Sequence, residues 1–545
     1  MNKYIGLSLM VVIGAVTASC DDWLDKMPDN RMELRTPEDI SDLLVSAYSE
    51  TNPAYLLEMY SDNADQCDNT GWGEANRFQR QAFFWDEITE TSESESPQNL
   101  WNGYYTAIAS CNASIEYIDG LSAAEKEEYK AQLGEALLCR AYNMFVLSTI
   151  FCNAFDPSTA DNELGLPYPS RTETVVGVTY ERGTLAELYQ RIENDLLRGL
   201  PLVSNSYGQP KFHFTPDAAK AFATRFYLYS QQYDKALQYA NEVLGTNPSA
   251  KLRDWDAYGA LDANGNVQCE AFLSSKERSN LLLQVVYSEW GAIGGPYMYG
   301  DKYAHGKRIS SDETMQSMGP WGKSSMFKYT VWYNNSLSKY CFRKPIYSFV
   351  YSDAEAGIGS AYCEYSVFNT DMLLLERAEA YALSGNLEAA VQDINTELKA
   401  FHQNPAHLTV ESIKNFYNSI EYYTPWAATP KKHLHPRFTI DREGSEQEAV
   451  LQCILHLRRI LTLHDGIRMQ DIKRYGIVIY RRVMNSNYDI VKVTDSLTVD
   501  DPRRAIQIPQ DVISAGLTGN IRTTNNNQSE NIFPYSGSSE PKVNN

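Results

Sequence analysis

Residues 374–395 read LLERAEAYALSGNLEAAVQDIN. Tyr381 precedes Ala390 by nine residues, and the polar turn Ser384–Gly385–Asn386 lies between them. An amphipathic segment follows the turn. Residues 225–244, RFYLYSQQYDKALQYANEVL, repeat the arrangement: Tyr227 precedes Ala236 by nine residues across Gln231–Gln232. A tyrosine late in one helix and a small residue early in the next is the helical-hairpin phase of tetratricopeptide (TPR) units, in which the small residue lets the two helices approach closely. Such hairpins bury their apolar faces on neighbours, so several should stack.

The flanking sequence continues the helical reading. Trp101–Asp119 places Tyr104, Ile108, Cys111, Ile115 and Ile118 on one stripe. Gln132–Phe151 carries Leu133, Ala136, Leu137, Ala141, Met144, Phe145 and Leu147 at helical spacing. Thr184 and Glu187 form a Thr-x-x-Glu capping box ahead of Leu188, Ile192 and Leu196. Residues 251–365 differ. They are rich in Gly, Ser, Asn, Tyr and Trp and keep no sustained helical period, although Leu281–Trp290 reads as a strand or short helix. Irregular stretches that long are functional or disordered, and their aromatic content argues for function. The expected fold is mainly α: about four TPR-like hairpins packed against an irregular, loop-rich half that binds a ligand.

The N-terminus predicts export. Lys3 precedes a nearly unbroken apolar run, Ile5–Val16, and small residues follow up to Cys20. That is the layout of a secretory signal peptide. The run is about a dozen residues, short of the roughly 20 that cross a bilayer. A cysteine after Thr17-Ala18-Ser19 is similar to a bacterial lipobox, in which the thiol is acylated and the preceding bond is cut. Thr17 departs from the usual Leu.

Composition limits the partners. The 545 residues carry a net charge of −21 and 43% hydrophobic content. An acidic surface repels phosphate backbones and anionic lipid, so nucleic acid is not expected as a partner. Thirty-seven Tyr accompany 19 Phe and 9 Trp, an excess of flat rings with a polar handle. Beyond Cys20, the cysteines at 67, 111, 139, 152, 269, 341, 363 and 453 show no CxxC or regular spacing. They read as buried thiols rather than a zinc site, with one or two disulfides as the alternative on an oxidising export route.

Four segments then occur in a telling order. CDDWLD…PDNR (from Cys20) is followed by residues 374–395, then by HLRRILTLHDGIRMQDIKRYG (456–476) and AIQIPQDVISAG (505–516). The set resembles the SusD/RagB family of outer-membrane nutrient-binding lipoproteins. Arg458, Arg459, Asp465, Gly466, Arg468, Asp471, Lys473 and Arg474 match the phase of the family's closing helix, and Pro509 and Gln510 match its late Ile-Pro-Gln element. Leu461 stands where the family usually has Glu. These charged residues read as structural, because Arg468, Asp471 and Arg474 can make i,i+3 ion pairs on a helix. The resemblance implies a non-catalytic, surface-exposed glycan binder, acylated on Cys20 in the outer membrane. It also implies that an oligosaccharide or polysaccharide is handed to a SusC-like TonB-dependent transporter. The expected divisions are a signal peptide (1–19), an N-terminal region with TPR-like helices (20–250), a loop-rich aromatic region (251–365) and a C-terminal region with a TPR-like hairpin and the closing helix (366–545).

Sugar rings present apolar C–H faces on which Trp and Tyr stack, while polar neighbours bond the hydroxyls. The candidates are aromatics in irregular segments: Trp72, flanked by glycines and near Asn69 and Asn76, and Trp290, Tyr297, Tyr299, Trp321 and Trp332. Trp101 heads a helix and is left to the core. Other motifs fail on spacing. Gly322-Lys323-Ser324 lacks the P-loop glycine, since position 317 is Ser; Asp262–Asn266 lacks the calcium-loop turn glycine, since position 267 is Val. No HExxH or GxSxG occurs, and His433 with His435 makes no metal site; neither a metal nor a cofactor is expected. Two other readings stay open: a peptide-binding lid, which needs an open helical groove, and a surface glycoside hydrolase, which needs a carboxylate pair in a cleft.

Overall fold

The computed structural model describes residues 35–67, 73–173, 180–297, 299–333, 339–524 and 528–534. Cys20 and the export signal lie outside the described residues.

The long helices are α1 (Pro97–Asp119), α2 (Lys130–Phe151), α3 (Leu185–Gly199), α4 (Pro216–Tyr229), α5 (Tyr233–Leu244), α6 (Thr370–Leu383), α7 (Leu387–Phe401), α8 (Val410–Asn418) and α9 (Glu446–Leu461). Side chains start most of them. Ser96, Thr184, Thr215, Asn369, Asn386, Thr409 and Ser445 each accept a hydrogen bond from a backbone N–H of the first turn. Such caps satisfy donors that the helix leaves orphaned. Consecutive helices pack as pairs, α1 with α2, α4 with α5, α6 with α7 and α8 with α9. α5 then packs on α6, and α6 on α9, which joins the pairs into one helical layer. α2 is buried on nearly every side from Gly134 to Phe151, so it forms the centre of the layer rather than its edge. The mainly α expectation holds.

The two hairpins that opened the sequence reading share one turn. The N–H of Gln232 donates to the carbonyl of Tyr227 (2.8 Å), and that of Asn386 to the carbonyl of Tyr381 (2.9 Å). Gln231 and Gly385 occupy the same place in the two turns, with φ of +62° and +82°. Ala236 and Ala390 are fully buried at the helix contacts. The shared phase in the sequence is thus a shared backbone path.

Strands frame the opposite half. Asp65–Cys67 pairs in parallel with Ile479–Met484 and antiparallel with Tyr303–Ala304, so segments more than 400 residues apart share a sheet. A second sheet orders Asn280–Tyr287, Ile358–Asn369 and Ser348–Asp353, with the last strand at its edge.

The charged closing motif is buried and binds the two halves. Arg458 donates to both carboxylate oxygens of Asp471 (3.0 and 2.7 Å) and to Glu379. Arg468 forms a bidentate pair with Asp62 (2.7 and 2.9 Å), and Arg459 bonds Glu313 (2.9 Å). The i,i+3 pair Arg474–Asp471 is present at 3.7 Å, but it is one strand of a network that crosses several elements. The eight described cysteines are buried, and none of them is in a disulfide.

Candidate functional site

Two tyrosines stand clear of the core on the loop that joins the sheet half to Tyr303. Tyr297 and Tyr299 are 45% and 39% exposed. Their loop is tethered from below. The buried Lys339 ammonium donates to the carbonyls of Tyr297 (2.9 Å) and Tyr299 (2.6 Å) and pairs with Asp301 (2.9 Å). Gln79, fully buried, ties a second loop to the first. Its amide donates to the carbonyls of Gly300 (2.9 Å) and Tyr303 (3.2 Å), and its oxygen accepts from the N–H of Ala75 (2.7 Å). The chain around residues 73–76 is thereby fixed beside Tyr299. Tyr297 also meets Tyr347 edge-on, with centroids 5.9 Å apart. Rings with exposed faces thus sit on a braced backbone, which keeps the ordering cost of binding low.

Acids rim the rings. Asn76 caps the helix Arg77–Phe83 and donates to Glu93 (2.7 Å). Burial first, then repulsion from Glu289 and Glu90, lifts the Glu93 carboxyl to about 7. Burial raises Glu95, beneath it, to about 8, with Glu93 and Glu289 adding to the shift. Burial and the same two acids, Glu289 and Glu93, raise Tyr299. At neutral pH the site therefore offers phenol hydroxyls and an amide, with the buried Glu95 carboxyl held largely protonated beneath them.

Glu95 has a consequence for stability. Between about 4.5 and 8 the folded protein holds a proton that the unfolded chain has released. Stability from this group is full at low pH and falls as pH rises through that window, by about 1.4 kcal/mol per unit at most. Glu95→Gln is expected to flatten that part of the profile and to raise the urea midpoint at pH 8. Unfolding curves at pH 5, 6.5 and 8 check it; parallel profiles for variant and wild type would contradict it.

The sequence candidates divide. Tyr297 and Tyr299 are brought together at this surface. Trp332 is half-buried in the strand Val331–Tyr333, opposite Cys341. Trp72 lies outside the described residues, although the chain just after it borders the site. Trp290 and Trp321 must be corrected: they are core residues, 2% and 1% exposed. Trp290 stacks on Tyr55 (5.0 Å) and donates to the carbonyl of His464 (2.8 Å). Trp321 packs on His456 (4.8 Å) and Phe327 (5.8 Å). Their neighbouring glycines mark close packing, not open loop. A Cβ on Gly319 would lie 2.3 Å from the Trp321 indole, and one on Gly294 would lie 2.7 Å from that of Trp290. Sequence reading missed Tyr347, Glu93 and Glu289. Tyr347 had a signal in YSFVYSD (347–353), whose aromatics fall on alternate positions.

A cleft of about 1380 Å³ opens on the helical half, lined by Asn241, Arg377, Tyr381, Asp393, Asn395 and others. Several of its polar groups are engaged within the protein. Arg377 binds Asp393 (2.8 and 2.7 Å) and Asn241 (2.9 Å), and Asn395 exchanges bonds with the backbone of Leu408 (2.9 and 2.8 Å). His433 is engaged by Glu443 (2.7 Å), and no group of three metal-ligating side chains converges among the described residues. No helix among them is long and apolar enough to cross a membrane.

Residues 22–228 match a family, SusD-like_3, described as starch-binding and associating with the outer membrane. No curated protein sequence matches the chain. Solved structures share the fold over almost its whole length. A SusD superfamily protein from Bacteroides thetaiotaomicron VPI-5482 is 16% identical, with a TM-score of 0.58 over 90% of this chain and 100% of its own. A putative sugar binding protein from Bacteroides vulgatus ATCC 8482 is 17% identical, with a TM-score of 0.59 over 90% and 99%. A SusD-like carbohydrate binding protein from the same strain is 14% identical, with a TM-score of 0.58 over 88% and 96%.

Proposed function

We propose, on the premise that this chain is a SusD-like protein, that it captures a glycan on the tyrosine surface at Tyr297, Tyr299 and Tyr347 without transforming it. The carrying observation is that exposed rings stand on a loop locked by Lys339 and Gln79. Sugars stack on such rings, and the amide of Asn76 and the neighbouring carboxyls bond their hydroxyls. The family description and the sugar-binding relatives support a carbohydrate ligand. The same description supports a place at the outer membrane, with acylated Cys20 as the anchor and several acyl chains giving durable attachment. Delivery to a SusC-like TonB-dependent transporter completes the reading: the anchor keeps the binder beside its importer.

Native electrophoresis through gels containing single polysaccharides tests the capture. Protein starting after Cys20 is expected to be retarded by at least one glycan, and Tyr297→Ala/Tyr299→Ala to run as in a plain gel. Retardation that survives the double substitution would remove the tyrosine surface from the site.

A further inference from the structure

The tyrosine surface does not end at Tyr347. Tyr347, Phe349 and Tyr351 fall on alternate positions at and along the edge strand Ser348–Asp353, so they share one face at steps of about 7 Å. Phe349 and Tyr351 are 38% and 58% exposed, and their rings touch at 4.9 Å. The partner strand leaves that face smooth. Ala361 stands opposite Phe349 and Gly359 opposite Tyr351. The Phe349 ring lies over Gly359, where a Cβ would come within 2.7 Å of it. Tyr297 packs on Tyr347 at the inner end, and Tyr347 stands two residues ahead of Phe349, one step along the same face. The rings therefore form one continuous row from the braced loop to the hairpin tip.

An exposed apolar edge strand is a liability for a secreted protein, because it invites edge-to-edge pairing. Both faces of this strand are open, with Val350 56% exposed on the other side. A row one strand wide suits a chain-like ligand. A stable protein partner covers about 800 Å² with 20–30 residues a side, more than a hairpin tip supplies. The acids Glu93 and Glu289 at the inner end favour a chain without acid groups of its own.

We infer that the hairpin formed by Ser348–Asp353 and Ile358–Asn369 is an outer subsite, with Phe349 and Tyr351 as its platform, and that the ligand is an extended neutral polysaccharide lying along the row. This rests on the capture reading above. Its test uses matched pairs of long and short neutral glycans: soluble starch and maltotriose, xylan and xylotriose, laminarin and laminaritriose, galactomannan and mannotriose. Wild type is titrated with each pair, beside Phe349→Ser/Tyr351→Ser and the opposite-face control Val350→Ser. For the pair that binds, the polymer is expected to bind at least tenfold more tightly per chain end than the trisaccharide. The tip double variant should lose most of that advantage and keep the trisaccharide affinity, with an unchanged melting curve; Val350→Ser should match wild type. A tip variant that binds the polymer as wild type does would overturn the inference and leave the inner site standing. If that variant also fails to co-purify with a TonB-dependent barrel, the hairpin belongs to the protein partner instead. Weakening of the trisaccharide by the same factor as the polymer would overturn the separate subsite. No binding of any pair by wild type would overturn both the inference and the capture reading on which it rests.

Discussion

Trp321→Ala is expected to lower stability by about 3–5 kcal/mol and to leave glycan affinity of the folded protein unchanged. The indole is 1% exposed and packs on His456 and Phe327, and its Nε1 donates to Ser324 (3.3 Å). Gly319 closes the other side and has no side chain to move into the void. Removing the ring loses its transfer free energy and opens a cavity that the strand pair Met318–Gly319 and Gly322–Lys323 cannot collapse to fill. Urea unfolding and a binding titration on the same sample separate the two effects. Lost affinity with an unchanged urea midpoint would return Trp321 to the ligand surface.

Arg458→Ala is expected to be as severe, at about 3–5 kcal/mol. Arg458 is 2% exposed and holds two carboxylates, Asp471 and Glu379. Glu379 keeps Arg474 (2.6 Å) and Tyr475 (2.7 Å). Asp471 keeps the 3.7 Å contact with Arg474 and the weaker attraction of Arg468 but loses its two short hydrogen bonds, so a buried carboxylate is left poorly compensated. Truncating one member of a buried pair leaves a desolvated charge, which is why the effect exceeds that of a surface pair. Lys414→Ala, which removes the exposed 3.3 Å pair with Glu446, is the control and should fall within about 0.5 kcal/mol of wild type. Equal midpoints for the two variants would mean that the network does not hold the halves together.

The fold was more legible in the sequence than the site. Helix α2 and the pairs around Tyr227 and Tyr381 announced themselves because a 3.6-residue apolar period and a repeated turn are local signals. The closing motif could be identified by phase, and its charges could be assigned to structure. Their partners could not, since Asp62 lies 406 residues from Arg468 and Glu313 lies 146 residues from Arg459, and nothing local links them. The aromatic candidates show the limit most clearly. A glycine beside a tryptophan fits either an open loop or a ring packed against bare backbone, and Gly319 and Gly294 are of the second kind. Tyr297 and Tyr299 could be picked by their setting, but Lys339 and Gln79, which brace their loop, look like ordinary polar residues in the sequence. The alternation in residues 347–353 was readable as a strand. Its exposure depends on the small residues Gly359 and Ala361 across the hairpin, a pairing that the tertiary register decides.

Amide hydrogen exchange with and without the polysaccharide that retards the protein most is the most direct measurement. Tyrosine-surface capture predicts slowed exchange in residues 297–303 and 347–351 and in the segment after Gly73, with the helical cleft around Asn241, Arg377 and Asn395 unchanged. Protection confined to that cleft, with the tyrosine loop exchanging as in the free protein, would contradict it and favour a groove-binding protein of the peptide-recognising kind.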